Sequence, residues 1–148
     1  MMSARPNPSV RTGVTLLELM IALALVSVVV AMTVPRMRRL VDEAGARGAA
    51  GDAAELFGSA RQLAITRWVR TSVTIDTVAG VVALVAGPDT LLRRDVFREH
   101  GATLHASRTS ATYTPLGLAL GVSNLTVVAI RGAAAETVTV SRLGRVRW

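Results

Sequence analysis

The 148-residue sequence contains no cysteine and no lysine, and aromatic residues make up only 3% of it. Without cysteine, disulfide bridges and thiolate metal sites are excluded. All 17 basic residues are therefore arginines, and against ten acidic residues they give a net charge of +7. Such a balance suits acidic partners, either phosphates or an anionic membrane surface. A solvated basic surface without any partner is an equally good explanation.

The sequence also lacks the residue patterns of a catalytic or metal site. No Ser-His-Asp spacing, glycine-rich phosphate loop or pair of carboxylates stands out, so we predict no enzymatic activity, no cofactor and no metal. His100 and His105 have no cysteine and no tight acidic cluster near them in the sequence. We interpret both as surface-loop histidines, with metal binding as the alternative.

One long apolar segment dominates what is present. From Val14 to Val34 only one side chain is ionisable, that of Glu18. As a helix this run would be about 31 Å long, enough to cross the hydrocarbon core of a membrane. A carboxylate deep in lipid costs several kcal/mol unless it is paired. Glu18 therefore either forms an ion pair or, about 6 Å from the helix start, reaches the lipid headgroups.

The residues before this run are polar and basic. Residues 1–12 include Arg5 and Arg11 but no acid, and two prolines argue against a helix. A secretory signal has a shorter apolar region, with a small-residue cleavage site after it. Here the small residue, Gly13, precedes the run. A signal-peptidase cut near Thr33 is the alternative interpretation.

The stretch Gly13-Val14-Thr15-Leu16-Leu17-Glu18-Leu19-Met20 resembles the processing motif of type IV prepilins and pseudopilins. The resemblance implies that residues 1–13 form a leader and that a prepilin peptidase cuts between Gly13 and Val14. The same enzyme would N-methylate Val14, where the family usually has phenylalanine. It also implies that Glu18 pairs with the α-amine of Val14 in a neighbouring subunit.

The remainder of the N-terminal half is predicted to be helical as well. Pro35 ends the transmembrane segment, residues 14–35, and either kinks or interrupts the helix. An amphipathic helix then covers residues 36–70 and ends at about Val69, although three glycines weaken residues 44–52. Its predicted buried stripe consists of Leu56, Phe57, Ala60, Leu63, Ala64 and Trp68. Three arginines follow the apolar run and two precede it, so the flanking charges do not predict that the leader is cytoplasmic. A cytoplasmic leader is instead what the resemblance to prepilins implies.

Residues 71–148 are rich in valine and threonine and contain frequent turn residues, which predicts a periplasmic antiparallel β domain. The expected strands are 73–77, 81–86, 91–97, 103–106, 111–114, 125–130, 137–141 and 145–148. The fold class is therefore α+β: a pilin-like long N-terminal helix, its first half transmembrane, packed on an antiparallel β-sheet domain.

Three further segments resemble the GspH/FimT branch of this family. They are the Ala-Arg-x-x-Ala helix segment at residues 60–64, Tyr113-Thr114-Pro115-Leu116-Gly117, and Gly144-Arg145-Val146-Arg147. In a strand, Arg145 and Arg147 would share one face beside Trp148, and Arg142, Arg131 and Arg108 would extend it. In FimT-like members the last element is associated with binding DNA. The alternative is a charged edge strand that resists pairing with other chains.

The resemblance favours a minor pseudopilin, a structural subunit of a type II secretion pseudopilus. The alternatives are a FimT-like minor type IV pilin that binds DNA for natural transformation, and an anchored exported domain without a filament role. The expected partners are other pilins or pseudopilins through the N-terminal helix, the prepilin peptidase, the inner membrane and, for the FimT-like alternative, DNA. The expected location is the bacterial inner membrane, single-pass, with the C-terminal domain in the periplasm and later assembly into a filament.

Overall fold

The computed structural model describes residues 13–120 and 124–148, so the predicted leader up to residue 12 lies outside the described part. The chain divides after Met37 into an N-terminal unit and a second unit from Arg38 to Trp148. The N-terminal unit buries none of its described side chains, whereas the hydrophobic core lies in the second unit.

A helix of 51 residues, α1 (Leu16–Thr66), accounts for most of the N-terminal half of the chain. The Thr15 hydroxyl accepts a hydrogen bond from the backbone N–H of Glu18 at 3.2 Å and so satisfies one free donor at the helix start. The helix continues through Pro35, although proline removes one backbone hydrogen bond there. Of the two outcomes left open at Pro35, an interruption is therefore wrong, and the prediction of one long N-terminal helix is confirmed.

Two hydroxyls within the apolar run are paired inside the helix. Ser27 and Thr33 each donate to the backbone carbonyl four residues earlier, at 2.8 Å. A hydroxyl without a partner is costly to place in an apolar environment. The run can therefore enter lipid without an unpaired hydroxyl at either position.

In the second unit, α1 presents a narrow stripe of small residues to the core. The buried residues of the helix are Gly45, Ala46, Ala49, Ala50, Ala53, Ala54, Leu56, Phe57, Ala60 and Ala64. The predicted stripe is confirmed at Leu56, Phe57, Ala60 and Ala64, and Leu63 packs against the core while partly buried. Trp68 is an incorrect prediction, because α1 ends at Thr66 and this side chain is 69% exposed.

The glycines of α1 bring its backbone close to the rest of the domain. At Gly48 a Cβ atom would stand 2.7 Å from Nδ1 of His100, and at Gly45 it would collide with the side chain of Arg131. The helix continues without interruption over residues 44–52. The predicted weakening of this segment is therefore offset by contacts that only glycine permits.

Within residues 13–120 and 124–148, nine strands form two antiparallel sheets where the sequence predicted one. The first sheet has the order β3-β2-β1-β5-β6 and the second the order β4-β7-β8-β9. Their bounds are β1 Thr71–Asp76, β2 Val81–Ala86, β3 Asp89–Asp95, β4 Thr103–Ala106, β5 Ser110–Tyr113, β6 Ala119–Leu120, β7 Leu125–Arg131, β8 Ala134–Val140 and β9 Val146–Arg147. The α+β class is confirmed.

The core combines the α1 stripe with inward residues of both sheets. Its largest fully buried side chains include Tyr113, Phe57, Leu84 and Leu104. Each large apolar side chain buried in this way contributes roughly 1.5–3 kcal/mol. Thr71 is the polar residue buried among them, and its hydroxyl donates to the Ala60 carbonyl of α1 at 2.7 Å.

Three strand predictions need correction. The strand expected at 91–97 ends at Asp95, because Asp95 Oδ1 accepts from the Arg98 N–H at 3.0 Å and starts a short helix, α2 (Val96–His100). The strand expected at 145–148 contains only Val146 and Arg147. The two-residue β6 was not predicted, since its length leaves no periodic pattern to detect.

Candidate functional site

The bond between Gly13 and Val14 lies in non-helical backbone just before α1. No atom of the described residues lies within 4 Å of the position that a Cβ atom on Gly13 would take, and Val14 is 70% exposed. A peptidase needs an accessible, extended or irregular segment rather than a helix. The predicted cleavage point at Gly13 and the predicted methylation at Val14 thus lie where an enzyme can reach them.

Glu18 lies in the first turn of α1, where the positive end of the helix dipole favours a carboxylate. Within residues 13–120 and 124–148, no cation lies at salt-bridge distance from it. Its side chain is surrounded by exposed leucines and methionines. A membrane or filament core would therefore demand a charge partner from outside the described residues.

The apolar side chains around Glu18 are open to solvent along the whole N-terminal unit. Leu16 is 80% exposed, Leu25 64% and Val29 63%. The most apolar window of 18 residues has a mean hydropathy of 2.5, and none of it is buried. By length and composition this helix can cross a membrane. So large an apolar surface requires lipid or other protein chains to cover it.

A groove in the second unit gathers three of the arginines. Arg145 and Arg147 line one wall, and Gly58, Arg61 and Gln62 of α1 line the other, around about 520 Å³. Arg61 Nε donates to the Gly117 carbonyl at 3.1 Å, which holds this guanidinium beside the groove. The helical spacing places Arg61 on a different face from the buried stripe, so sequence reasoning missed it. Its position in the Ala-Arg-x-x-Ala segment is the only signal that singles it out.

The remaining predicted members of the basic face are separated from this groove. Arg142 is exposed in the turn between β8 and β9 and lines a neighbouring, leucine-rich groove. Trp148 is 66% exposed, and its ring lies against Gly51, at which a Cβ atom would stand 3.8 Å from Cη2. Trp148 therefore follows Arg147 along α1, but it does not line the groove.

Arg131 and Arg108 do not extend the face as predicted. Arg131 pairs with Ala134 at one end of the β7–β8 ladder, whereas β9 pairs with Val140 at the other end, roughly 20 Å away. Its guanidinium donates to the His100 carbonyl and lies 3.6 Å from Asp42 Oδ1. Arg108 follows β4, which β7 and β8 separate from β9 in the sheet order.

His100 is also placed differently from the prediction. It ends α2, is half-buried, and its Nε2 lies 2.8 Å from Asp52 Oδ2 of α1. Glu99 is close enough that one ligand atom from each of the three residues lies within 4.8 Å of the others. The prediction of a surface-loop histidine is therefore wrong for His100. His105 is exposed on β4, within a strand rather than a loop.

Tyr113 supplies a buried hydroxyl close to the groove. Its side chain is fully buried, and the hydroxyl has no hydrogen-bond partner among the described residues. Burial raises the pKa of Tyr113 to about 12, while the nearby positive charge of Arg61 acts in the opposite direction. The phenol therefore stays neutral at any physiological pH.

Comparison with known proteins agrees with these features. Residues 9–34 match the family model described as the prokaryotic N-terminal methylation motif. The fold is similar to that of the type IV minor pilin FimU of Pseudomonas aeruginosa, with a TM-score of 0.60 and 17% identity over 69% of this chain and 86% of that chain. The chain has a type IV pilin-like fold and carries this N-terminal motif.

A second solved structure has the same fold. The minor pseudopilin EpsH from the Type 2 Secretion System of Vibrio cholerae matches the pilin-like chain with a TM-score of 0.55 and 14% identity, over 72% of this chain and 95% of that chain. No curated protein matches the sequence. At these identities the two structures support the fold of the pilin-like chain, and they include both a pilus and a secretion protein.

Proposed function

We propose that the pilin-like protein is a non-catalytic structural subunit of a filament, specifically a minor pseudopilin of a type II secretion pseudopilus. The observation that carries this proposal is the apolar run of residues 16–34 in α1, which buries no side chain and has Glu18 as its one acid. Lipid would cover this surface before assembly, in a single-pass inner-membrane form with the second unit in the periplasm. Neighbouring subunits would cover it afterwards.

Maturation would supply the missing cation. Cleavage after Gly13 creates an α-amine on Val14, which N-methylation leaves able to carry a proton. Glu18 lies one helical turn further on, so a small axial shift between adjacent helices can align one chain's amine with the other's carboxylate. The ion pair would then fix the axial register of the two subunits.

Replacing Glu18 by Ala tests this role. We expect the leader to be removed normally, because Glu18 lies after the scissile bond. We expect incorporation into the filament to fall by at least about tenfold, because the α-amine of Val14 in the neighbouring subunit would be buried without its partner. N-terminal mass spectrometry measures cleavage, and cross-linking of surface filaments measures incorporation. Glu18→Asp is the matched control, since it keeps the charge and should retain part of the assembly.

Two results would contradict the proposal. Normal incorporation of the Glu18→Ala variant would eliminate the pairing mechanism. A membrane form that still begins at residue 1 or 2, in cells that contain the peptidase, would eliminate the filament role. Deleting the gene should stop secretion of folded cargo while DNA uptake continues; the reverse result would favour the second candidate below.

The second candidate function is DNA binding by a FimT-like minor pilin. The groove that brings Arg61 beside Arg145 and Arg147 supports it, because guanidinium groups bind phosphate oxygens in a bidentate manner. Among the described residues, no acidic side chain lines this groove. Trp148 is exposed further along α1 and could stack on an unpaired base.

The double variant Arg145→Ala with Arg147→Ala tests this candidate on the full chain in detergent. We expect weaker DNA binding, and a dependence of log K on log salt that is shallower by about 0.9 for each phosphate that the variant no longer binds. Arg93→Ala with Arg94→Ala is the matched control, since it removes the same charge from β3 of the other sheet. Equally weakened binding in the two double variants would mean that net charge alone, rather than the groove, governs binding.

A further inference from the structure

A second groove in the same unit is lined by leucines that the domain leaves exposed. Leu116, Leu118, Leu120 and Leu143 are 70%, 43%, 43% and 56% exposed around about 580 Å³, with Arg142 at the side. No carboxylate of the described chain lines it, and Arg61 lies behind the turn at Gly117. The groove is therefore apolar with a positive margin. DNA offers no apolar surface of matching shape, so this chemistry fits a protein.

The chain carries a complementary surface at the other end of its first sheet. The turn between β1 and β2 projects Val78, which is 98% exposed, and Phe97 of α2 lies beside that turn and is 57% exposed. Two carboxylates lie near them, since Asp76 Oδ1 accepts from the Val78 N–H and Asp95 caps α2, while Arg98 lies in the same helical turn. Glu99 instead lies beside Asp52 and His100. This base surface is apolar with a mainly negative margin.

The two surfaces lie at opposite ends of β1. Thr71 pairs with Tyr113, which leads into the leucine groove, while Asp76 leads into the Val78 turn. The strand between them is about 17 Å long. A patch at one end that fits a patch at the other produces a head-to-tail contact, which builds a ring or an open filament rather than a two-fold symmetric dimer.

We propose that the leucine groove binds the Val78–Phe97 base surface of a second copy of this chain. Val78 would enter the groove between Leu118 and Leu143, with Arg142 facing the carboxylates. The contact rests on the proposed filament role and requires at least two adjacent copies within the filament. It also adds a contact between the β domains to the pairing of Glu18 with the α-amine.

The absence of cysteine makes a specific test available, since any disulfide must involve introduced residues. Two differently tagged full-length chains, one with Val78→Cys and one with Leu118→Cys, are co-expressed, and membranes are oxidised. We expect a mixed disulfide between the two tags at several times the yield of a Leu118→Cys with Ala135→Cys pair. Ala135 is exposed on β8 and does not line the groove. The control chain has the same N-terminal helix as the test chain, so the two chains are held at the membrane in the same way.

A second measurement follows the contact without cysteines. In detergent, self-association of the full chain is measured by sedimentation before and after Leu118→Glu, which we expect to weaken it at least about tenfold. Leu91→Glu on β3 is the matched control, because Leu91 is 41% exposed and Leu118 is 43% exposed. Thermal unfolding confirms that both variants are folded.

Three results would overturn the contact. The first is a yield of mixed disulfide no higher than that of the control pair with Ala135→Cys, and the second is a product dominated by disulfides between two Leu118→Cys chains. The third is an equal loss of self-association in Leu118→Glu and Leu91→Glu. Filament incorporation is scored in the same cells. If the parent chain does not enter filaments at all, the filament role is eliminated. If the chain assembles but no mixed disulfide forms, only this contact is eliminated.

Discussion

The two units of the chain use apolar residues in opposite ways. The N-terminal unit contains the most hydrophobic stretch and buries none of its described side chains, while the part of α1 in the second unit builds core from alanine and glycine. Small side chains allow the helix backbone to approach the sheets closely, as at Gly45 and Gly48. In this protein the most hydrophobic segment of α1 is therefore exposed. The less hydrophobic segment, between Gly45 and Ala64, forms part of the core.

Leucine-to-alanine changes at matched helix positions should separate the two units most sharply. Leu56 is 2% exposed and Leu25 is 64% exposed. We expect Leu56→Ala to lower the free energy of unfolding of the β domain by about 2–5 kcal/mol. Leu25→Ala should change it by less than about 0.5 kcal/mol. Denaturant unfolding in detergent, followed by the fluorescence of Trp68 and Trp148, measures both.

Equal effects of the two leucine changes would mean that the exposed run contributes to the stability of the domain. The comparison between an exposed segment and a core would then be wrong. A large decrease in stability at Leu56 alone would support it.

Glycine-to-alanine changes within α1 sharpen the comparison further. We expect Gly48→Ala to destabilise the domain by about 1–3 kcal/mol, because its methyl group would push His100 away from Asp52. Gly58→Ala should stabilise it by about 0.5–1 kcal/mol, since nothing lies within 4 Å and alanine favours helix. Thermal or denaturant unfolding gives both values.

The pair of glycine variants has an internal check. If His100 causes the clash at Gly48, adding His100→Ala should make Gly48→Ala less costly than it is alone. A stabilising Gly48→Ala change would show that α1 does not approach α2 as closely as described.

The last expected effect is a dependence of stability on pH that arises from one buried group. The folded pKa of Tyr113 is about 12, and an exposed tyrosine has about 10, so the unfolded chain loses its proton first. Stability is therefore full below pH 10 and declines as the pH rises toward 12. With no lysine or cysteine and a single tyrosine, no other side chain titrates between these values.

Unfolding measured from pH 9 to 11.5 tests this effect, with Tyr113→Phe as the control. The variant should show no decline in this range, and near pH 7 it should be about as stable as the parent, because the hydroxyl has no partner among the described residues. An identical decline in both proteins would place the cause elsewhere in the domain.

The sequence predicted the large elements well, because each has a strong local signal. The hydrophobic run, the helical spacing around Phe57 and the strands β1, β2 and β7, which are rich in β-branched residues, all follow from local sequence patterns. The errors occur at short elements. The change from β3 to α2 depends on one capping contact of Asp95, and β6 has only two residues. Neither produces a periodic pattern.

The candidate site divides along the same line. Gly13, Val14 and Glu18 are adjacent in the chain, so the sequence alone indicates them. The arginine groove combines Arg61 with Arg145 and Arg147, which are separated by more than half the chain, and spacing carries no information about such a contact. Arg131 is the opposite case: the sequence grouped it with the other arginines, but in the structure it contacts Asp42 and His100 instead.

By itself the sequence determined that a basic segment, a glycine and an apolar helix with a single acid follow one another, because these properties depend only on residue order and the 1.5 Å rise of a helix. The tertiary structure decided which charges meet. It divided the predicted sheet in two, turned Arg131 and His100 inward, and brought Arg61 to the C-terminal strand. Long-range packing sets these contacts, since a side chain's partner depends on the whole core and not on its neighbours in the chain.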